Sequence, residues 1–273
     1  MLAFLGRRAL RGVECVRGDE YLRTIEMSGC VGWVRVQNAP DRRSLLVELS
    51  DSLAPVLPAL LERLRNFFDV SATPADVNAV LCNDPMLADL VARSPGLRVP
   101  GAFDGFELAL RAILGQQVTV KGASTLGGRF ADTFGVAIET PHPELVRLTP
   151  TPLCVADASG DAIAALGIIR SRARCIITIA GEIASGRLEL EAGADPDATM
   201  AQLVTLPGIG AWTAHYIAMR ALRWTDAFPK ADLVLRKGLG GVSAARAEDL
   251  SQRWRPWRSY ATMHLWRSAA VLS

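Results

Sequence analysis

Alternating polarity dominates the first fifty residues, and helical spacing of apolar residues dominates nearly everything after them. Behind an opening helix in MLAFLGRRAL, the runs VECVRG, YLRTIEM, VGWVRVQ and SLLVELS alternate or are rich in β-branched residues, with Gly, Asn, Pro and Asp between them. Period-two patterning bounded by turn formers is that of an antiparallel meander. From Leu53 to Val70 the apolar spacing becomes helical, with Pro55 tolerable in a first turn and Pro58 less comfortable. Residues 1–80 are therefore expected to form an α+β domain, an antiparallel sheet with helices.

From Pro74 onward no segment reads as a strand. Helices are expected over Pro74–Cys82, Pro85–Ala92, Phe106–Gly115, Val118–Phe134, Asp161–Leu166, Ser171–Ser185, Thr199–Leu206, Ala211–Leu222, Leu233–Leu239, Ala245–Trp254 and Ser259–Val271. Residues 81–273 thus read as an all-helical unit, with Pro95–Phe103 as a Pro- and Gly-rich connector inside it. No internal repeat or low-complexity tract interrupts it.

Composition narrows the classes of function. With 273 residues, half of them apolar, the chain can bury a sizeable core. Thirty Lys and Arg against 28 Asp and Glu leave a net charge of +2, so a nucleic-acid footprint must be local. Basic residues do gather at Arg170, Arg172 and Arg174, at Arg220 and Arg223, and at Arg236 and Lys237, although solvated helix faces account for such clusters equally well. Five scattered cysteines without a CxxC pair indicate reduced thiols rather than a disulfide framework or a zinc site. No apolar run approaches the ~20 residues of a membrane span, and arginines sit inside the N-terminal apolar stretch, unlike a signal peptide. The cytoplasm is the expected compartment.

Candidate chemistry concentrates in the C-terminal third. In LPGIGAWTAHY (Leu206 to Tyr216), Gly208 and Gly210 are expected to let a tight turn take positive φ and bring amides against a phosphate, with the positive end of the next helix behind them. A turn between two packed helices needs glycines whether or not anything binds. The run FPKADLVLRK then sets one carboxylate, Asp232, where a helix N-terminus favours negative charge; capping that helix is its ordinary structural job. Trp212 and Tyr216, four residues apart, share one helix face.

The segments MLAFLGRRAL, LRVPGAFDGFELALRAILGQQVTV, LPGIGAWTAHYIAMRAL, FPKADLVLRK and WRPWRSYATMHLW, in that order, resemble the helix-hairpin-helix DNA glycosylases of the 3-methyladenine DNA glycosylase II type, over almost the whole chain. The resemblance implies a glycosylase core in two lobes, 105–224 with the hairpin and 81–104 plus 225–273, with a cleft between them. It implies Asp232 as the catalytic aspartate and Trp212, Tyr216 and Trp266 as the lining of a base pocket. It also implies Gly208, Ile209, Gly210 and Thr213 as the DNA-gripping hairpin, and the carbonyls of Val204, Leu206 and Ile209 as holders of a monovalent cation, Na+ or K+, with no cofactor required. The implied partner is double-stranded DNA carrying alkylated bases, bound by a monomer, with no membrane involved.

The residue types suit that chemistry. A purine alkylated at N3 or N7 is a cation and leaves without protonation, so one fixed carboxylate beside an oxocarbenium-like sugar is what the reaction needs. Ring faces attract such a cation, each contact contributing about 0.5–2 kcal/mol. Trp33, Trp224, Trp254 and Trp257 read as core aromatics, and a core position is the competing reading for Trp266.

Three further points bear on the transfer, the last two of them departures from the family's pattern. The slot that holds a Schiff-base lysine in glycosylases with lyase activity holds Trp212 here, which predicts a monofunctional enzyme, and the chain ends soon after Trp266 without the cysteine cluster of an iron-sulfur module. The family's apolar wedge into the DNA stack falls on Gln117, a polar residue, leaving open whether Gln117, Gln116 or neither fills the gap. The chain opens directly in its first helix, which predicts that an N-terminal edge strand or a fused alkyl-transfer domain is lacking. A non-catalytic hairpin module that binds DNA and a bifunctional glycosylase/lyase are the alternative readings.

Overall fold

The computed structural model describes residues 1–42 and 44–271. In chain order it contains α1 (Leu2–Gly6), β1 (Glu14–Arg17), β2 (Glu20–Met27), β3 (Cys30–Ala39), β4 (Ser44–Leu49), α2 (Leu57–Phe67), α3 (Pro74–Leu81), α4 (Ala88–Ala92), α5 (Gly105–Leu114), α6 (Val120–Phe134) and α7 (Pro152–Ala156). There follow α8 (Gly160–Ala164), α9 (Arg170–Ala184), α10 (Pro196–Leu203), α11 (Ala211–Arg220), α12 (Leu233–Gly238), α13 (Ala244–Ser251) and α14 (Arg258–Val271). None of the described helices is long and apolar enough to cross a membrane.

The meander is present as an antiparallel sheet of order β1-β2-β3-β4, with Tyr21 opposite Val36, Thr24 opposite Trp33 and Val36 opposite Val47. Strand β2 departs from simple alternation, because Tyr21 through Ile25 are all buried. Both of its faces are covered: the Tyr21 hydroxyl bonds the Glu14 carboxylate, and Thr24 Oγ1 donates to the carbonyl of Arg147 at 2.6 Å. The expected helix from Leu53 divides into a 3-10 segment, Asp51–Val56, followed by α2. Pro58 is thereby the second residue of α2, where its missing N–H is one that no helix could pair anyway.

Packing separates two compact units, residues 1–64 with 109–188 and residues 65–108 with 189–273. The expected segments 1–80 and 81–273 cut the chain differently, because helices beyond residue 108 complete the core beside the sheet. In that first unit Arg111 Nη2 lies 2.5 Å from the buried Glu14 carboxylate and Nη1 donates to the Arg8 carbonyl. Helix α6 approaches Leu10 so closely that a Cβ on Gly127 would stand 2.4 Å from its Cδ2. Leu10, Val13 and Ala131 pack together there.

The second unit is helical and held by buried polar bonds. Asp69 accepts from the Arg223 guanidinium, from the amide of Val99 at 3.0 Å and from the Tyr260 hydroxyl at 2.9 Å. Asp84 accepts from the indole of Trp254 at 2.8 Å. Such groups stabilise the fold because each donor buried away from water has its acceptor.

Candidate active site

The hairpin, the carboxylate and the three aromatic side chains all belong to the second unit. Helix α10 starts at an Asp-Pro signal, Asp195 accepting from the amides of Asp197 and Ala198 with Pro196 in the first turn, and it ends at Leu203 rather than Leu206. The turn that follows closes with the Ile209 amide donating to the Leu206 carbonyl at 3.0 Å. Gly208 takes the left-handed conformation, φ +92°. Gly210 does not: at φ −91° and ψ 170° it is the extended N-cap residue of α11, with open space where a Cβ would be. One glycine makes the turn, and the other leaves the helix N-terminus uncovered.

Helix α11 then sets Trp212 and Tyr216 on one face, their rings parallel within 9° and their centroids 5.4 Å apart. Thr213 and Ile209 are 3 % and 5 % exposed, so both side chains are buried beside the hairpin rather than offered at its surface. Val204 is exposed.

Asp232 follows a loop fixed from several sides. Arg258 grips Asp226 with Nε at 2.7 Å and Nη2 at 2.9 Å, and Arg255 Nη1 adds a bond at 2.7 Å. Ser259 Oγ donates to the carbonyls of Trp224 and Ala227. His215 Nδ1 accepts the Phe228 amide at 3.3 Å, which requires an imidazole unprotonated at that nitrogen. Burial, and next the Arg258 guanidinium, hold His215 below its ordinary range, in keeping with that role.

At the end of this loop Asp232 is the N-cap of α12, Oδ1 accepting from the Leu235 amide at 2.7 Å. The ordinary capping job is therefore real, and it is not the whole of the site. Trp212 Nε1 donates to Oδ2 at 2.7 Å, and Trp266 Nε1, from α14, donates to Oδ1 at 2.9 Å. The Tyr216 ring lies 6.2 Å from that of Trp266. A cap needs no indoles, and an indole in a sealed core needs no half-exposed carboxylate; Asp232, Trp212, Tyr216 and Trp266 are all half-buried. Three N–H donors on one carboxylate, each charge-assisted, fix both its oxygens in place.

Of the remaining tryptophans Trp254 is fully buried, whereas Trp33, Trp224 and Trp257 keep partial exposure. Trp33 packs edge-on against His142, and Trp224 lies parallel to His215 at 6.3 Å. Lys230 is exposed, its Nζ 3.8 Å from a Glu248 carboxylate oxygen. No described group of His, Cys, Asp and Glu is arranged to hold a metal ion.

In the first unit, Gln117 stands exposed in the turn between α5 and α6 with φ +56°, a conformation non-glycine residues seldom adopt. The neighbouring Gln116 carbonyl accepts from Arg172. Gln116 is thus tied by its backbone to α9, while Gln117 occupies the strained tip.

Arg220, read in the sequence only as part of a basic cluster, belongs to this site. It follows Tyr216 by one helical turn, is 5 % exposed, and donates from Nη1 to the Tyr216 hydroxyl at 2.6 Å. The i, i+4 spacing from a pocket aromatic was the available signal.

Comparison with known proteins identifies relatives over the whole chain. Residues 1–104 match the AlkA N-terminal domain family. DNA-3-methyladenine glycosylase 2 of Escherichia coli is 36 % identical over 266 residues, spanning 97 % of this chain and 92 % of that protein. A probable bifunctional transcriptional activator/DNA repair enzyme AlkA of Mycobacterium tuberculosis is 39 % identical over 96 % of this chain, which spans 53 % of that protein. Among solved structures, 3-methyladenine DNA-glycosylase from Archaeoglobus fulgidus has the same fold, with a TM-score of 0.86 at 21 % identity over 100 % of this chain and 94 % of that one. On its sequence and its fold, the chain belongs to the DNA-3-methyladenine glycosylase 2 family of DNA repair enzymes.

Proposed function

We propose that this protein is a monofunctional DNA glycosylase that releases cationic alkylated purines such as 3-methyladenine and 7-methylguanine from double-stranded DNA, acting as a monomer on a base turned out of the helix, in base excision repair. The observation that carries the reading is the half-exposed Asp232 carboxylate held by Trp212, Trp266 and Leu235. An alkylated purine leaves as a neutral base when the C1′–N bond breaks, taking the electron pair with it. The positive charge passes to the sugar, and a carboxylate already fixed by three donors stabilises it without reorganising. Water then adds to C1′ and gives up a proton, leaving an abasic site.

The indoles serve twice in this scheme, as donors to Asp232 through their edges and as surfaces for a flat cation through their faces. Gly208 and Gly210 shape the hairpin whose amides, with the uncovered start of α11, receive a phosphate. The carbonyl oxygens of Val204, Leu206 and Ile209 are hard donors suited to Na+ or K+, which would offset phosphate charge there. For the vacated stack we propose Gln117, a reading supported by the exposure of its side chain at the tip of its turn. With Trp212 in the amine's slot and Lys230 paired to Glu248, water is the nucleophile and no Schiff base forms.

Free-base release from methylated genomic DNA tests this directly. The wild type is expected to release 3-methyladenine and 7-methylguanine, and Asp232→Asn to release neither while still binding DNA with an abasic-site analogue. Release by Asp232→Asn would refute the catalytic role, no release by the wild type would favour a DNA-binding module, and a borohydride-trapped DNA adduct would favour a lyase.

A further inference from the structure

Arg220 is anchored on three sides. Besides Tyr216, it donates from Nε to the Pro100 carbonyl and from Nη2 to the Gly101 carbonyl, both at 2.8 Å, while its own carbonyl accepts the Ala102 amide at 2.9 Å. The connector it holds cannot yield easily: the Gly101 amide donates to the Phe67 carbonyl at 2.9 Å, and a Cβ on Gly101 would stand 2.4 Å from the Asn66 carbonyl oxygen. The guanidinium is thus presented to Tyr216 from a fixed direction.

Two consequences follow for the phenol. Arginine has no acceptor, so in the 2.6 Å bond the Tyr216 oxygen must accept, and the hydroxyl's own proton is directed to its other side. Donation from a cation makes that O–H a stronger donor in turn. The guanidinium carbon also lies 5.5 Å from the centroid of the Tyr216 ring, so this ring already faces a positive charge and has less attraction left for a second one.

We propose that Arg220 is a positioning and specificity residue, which holds the Tyr216 hydroxyl as a hydrogen-bond donor to the departing base and so serves neutral lesion bases more than cationic ones. The proposal rests on the glycosylase reading above. A neutral lesion such as hypoxanthine leaves with the electron pair of the broken C1′–N bond and carries negative charge, which a hydrogen bond from Tyr216 stabilises until the base takes a proton from water. The sugar is captured by water as before. A cationic base leaves neutral and gains little from the same donor, its selection falling to Trp212 and Trp266.

The test compares release of hypoxanthine and 7-methylguanine from synthetic duplexes by the wild type, Arg220→Lys, Arg220→Met, Tyr216→Phe and the double variant Arg220→Met/Tyr216→Phe. Loss of one charge-assisted bond is expected to lower kcat for hypoxanthine about tenfold or more and that for 7-methylguanine less than about threefold. Arg220→Met should add nothing once Tyr216 is phenylalanine. Equal losses on both bases, or a further loss in the double variant, would reduce Arg220 to a packing residue and overturn the proposal. Should Arg220→Met fail to fold, Tyr216→Phe and Arg220→Lys decide alone: the same loss on both bases refutes it. A readout independent of activity is the Tyr216 ¹³Cζ resonance of tyrosine-labelled protein, which must move in Arg220→Lys; an unmoved signal overturns the contact. A wild type that releases neither base, with that resonance still responsive, would sink the glycosylase reading, and the specificity role with it, while leaving the contact standing.

Discussion

The Trp212 indole and the Tyr216 phenol ring lie parallel with centroids 5.4 Å apart. A purine sandwiched between two rings needs about 7 Å, two van der Waals contacts, so these rings cannot receive a base between them. They form one wall, and the function proposed above puts the base on an outer face of that wall.

Trp212 therefore contributes a face and an N–H, and two substitutions separate these. Trp212→Phe keeps a ring beside Tyr216 and removes the 2.7 Å bond to Asp232. It is expected to slow single-turnover release of 7-methylguanine about tenfold, the worth of a hydrogen bond to a charged group, with the preference for cationic over neutral bases retained. Trp212→Ala is expected to lose the rate and to weaken that preference. Selectivity unchanged in Trp212→Ala would remove stacking from the account.

Asp232 is both cap and carboxylate, and these roles respond differently to substitution. Asn is as good an N-cap as Asp, so Asp232→Asn keeps the cap and loses only what the indole bonds contribute, whereas Asp232→Ala should cost about 1 kcal/mol more in a urea titration. Base release should vanish in both. Asparagine also turns an NH2 toward one of the two indole donors, which breaks one of the Trp bonds and leaves no fixed anion. A variant that kept the cap and kept the activity would show that the charge is not needed.

Much of this site was legible because it is local. A Gly turn, an aspartate before a helix, and aromatics four apart are each set by neighbours in sequence, and all stand where the patterns put them. Trp266 is different: nothing near it in sequence says that its N–H meets Asp232, since that bond spans α12 and α14. Arg220 was counted among basic residues, yet it is buried against carbonyls of a distant connector. Gly210 carries no positive φ, a point on which composition is silent. In the fold, the alternation of β2 was readable but not the cover on both of its faces, one of which meets the Arg147 carbonyl from far along the chain. The short helix α7, begun by Thr151 capping the Cys154 amide with Pro152 in the first turn, is too brief to show a period.

Gln117, at φ +56°, holds a conformation that costs a non-glycine residue about 1 kcal/mol or more. Gln117→Gly relieves this strain at the expense of a more flexible unfolded chain, so stability should change by less than about 1 kcal/mol. Without a side chain to fill the stack, release from duplex DNA should fall severalfold, while release of the same lesion from single-stranded DNA should not change. An equal fall on both substrates would argue that Gln117 acts in something other than base extrusion.

His264 lies on α14 two positions before Trp266, 3 % exposed, and burial first, then the Arg267 charge, push its imidazole down to about 4, against the opposing backbone bond at Leu90. A base depressed on folding binds its proton more readily in the unfolded chain. Stability from this group is therefore complete above the unfolded value of 6.5, falls as pH drops below it, and stops falling near 4. Between about pH 7.5 and pH 5 the loss should be about 2 kcal/mol from His264, and His215, also depressed, adds to it in the same direction. His264→Gln should flatten the pH dependence of urea-unfolding free energy over this window by that amount, and a slope unchanged by the substitution would show that the imidazole binds its proton equally well in the folded and unfolded chains.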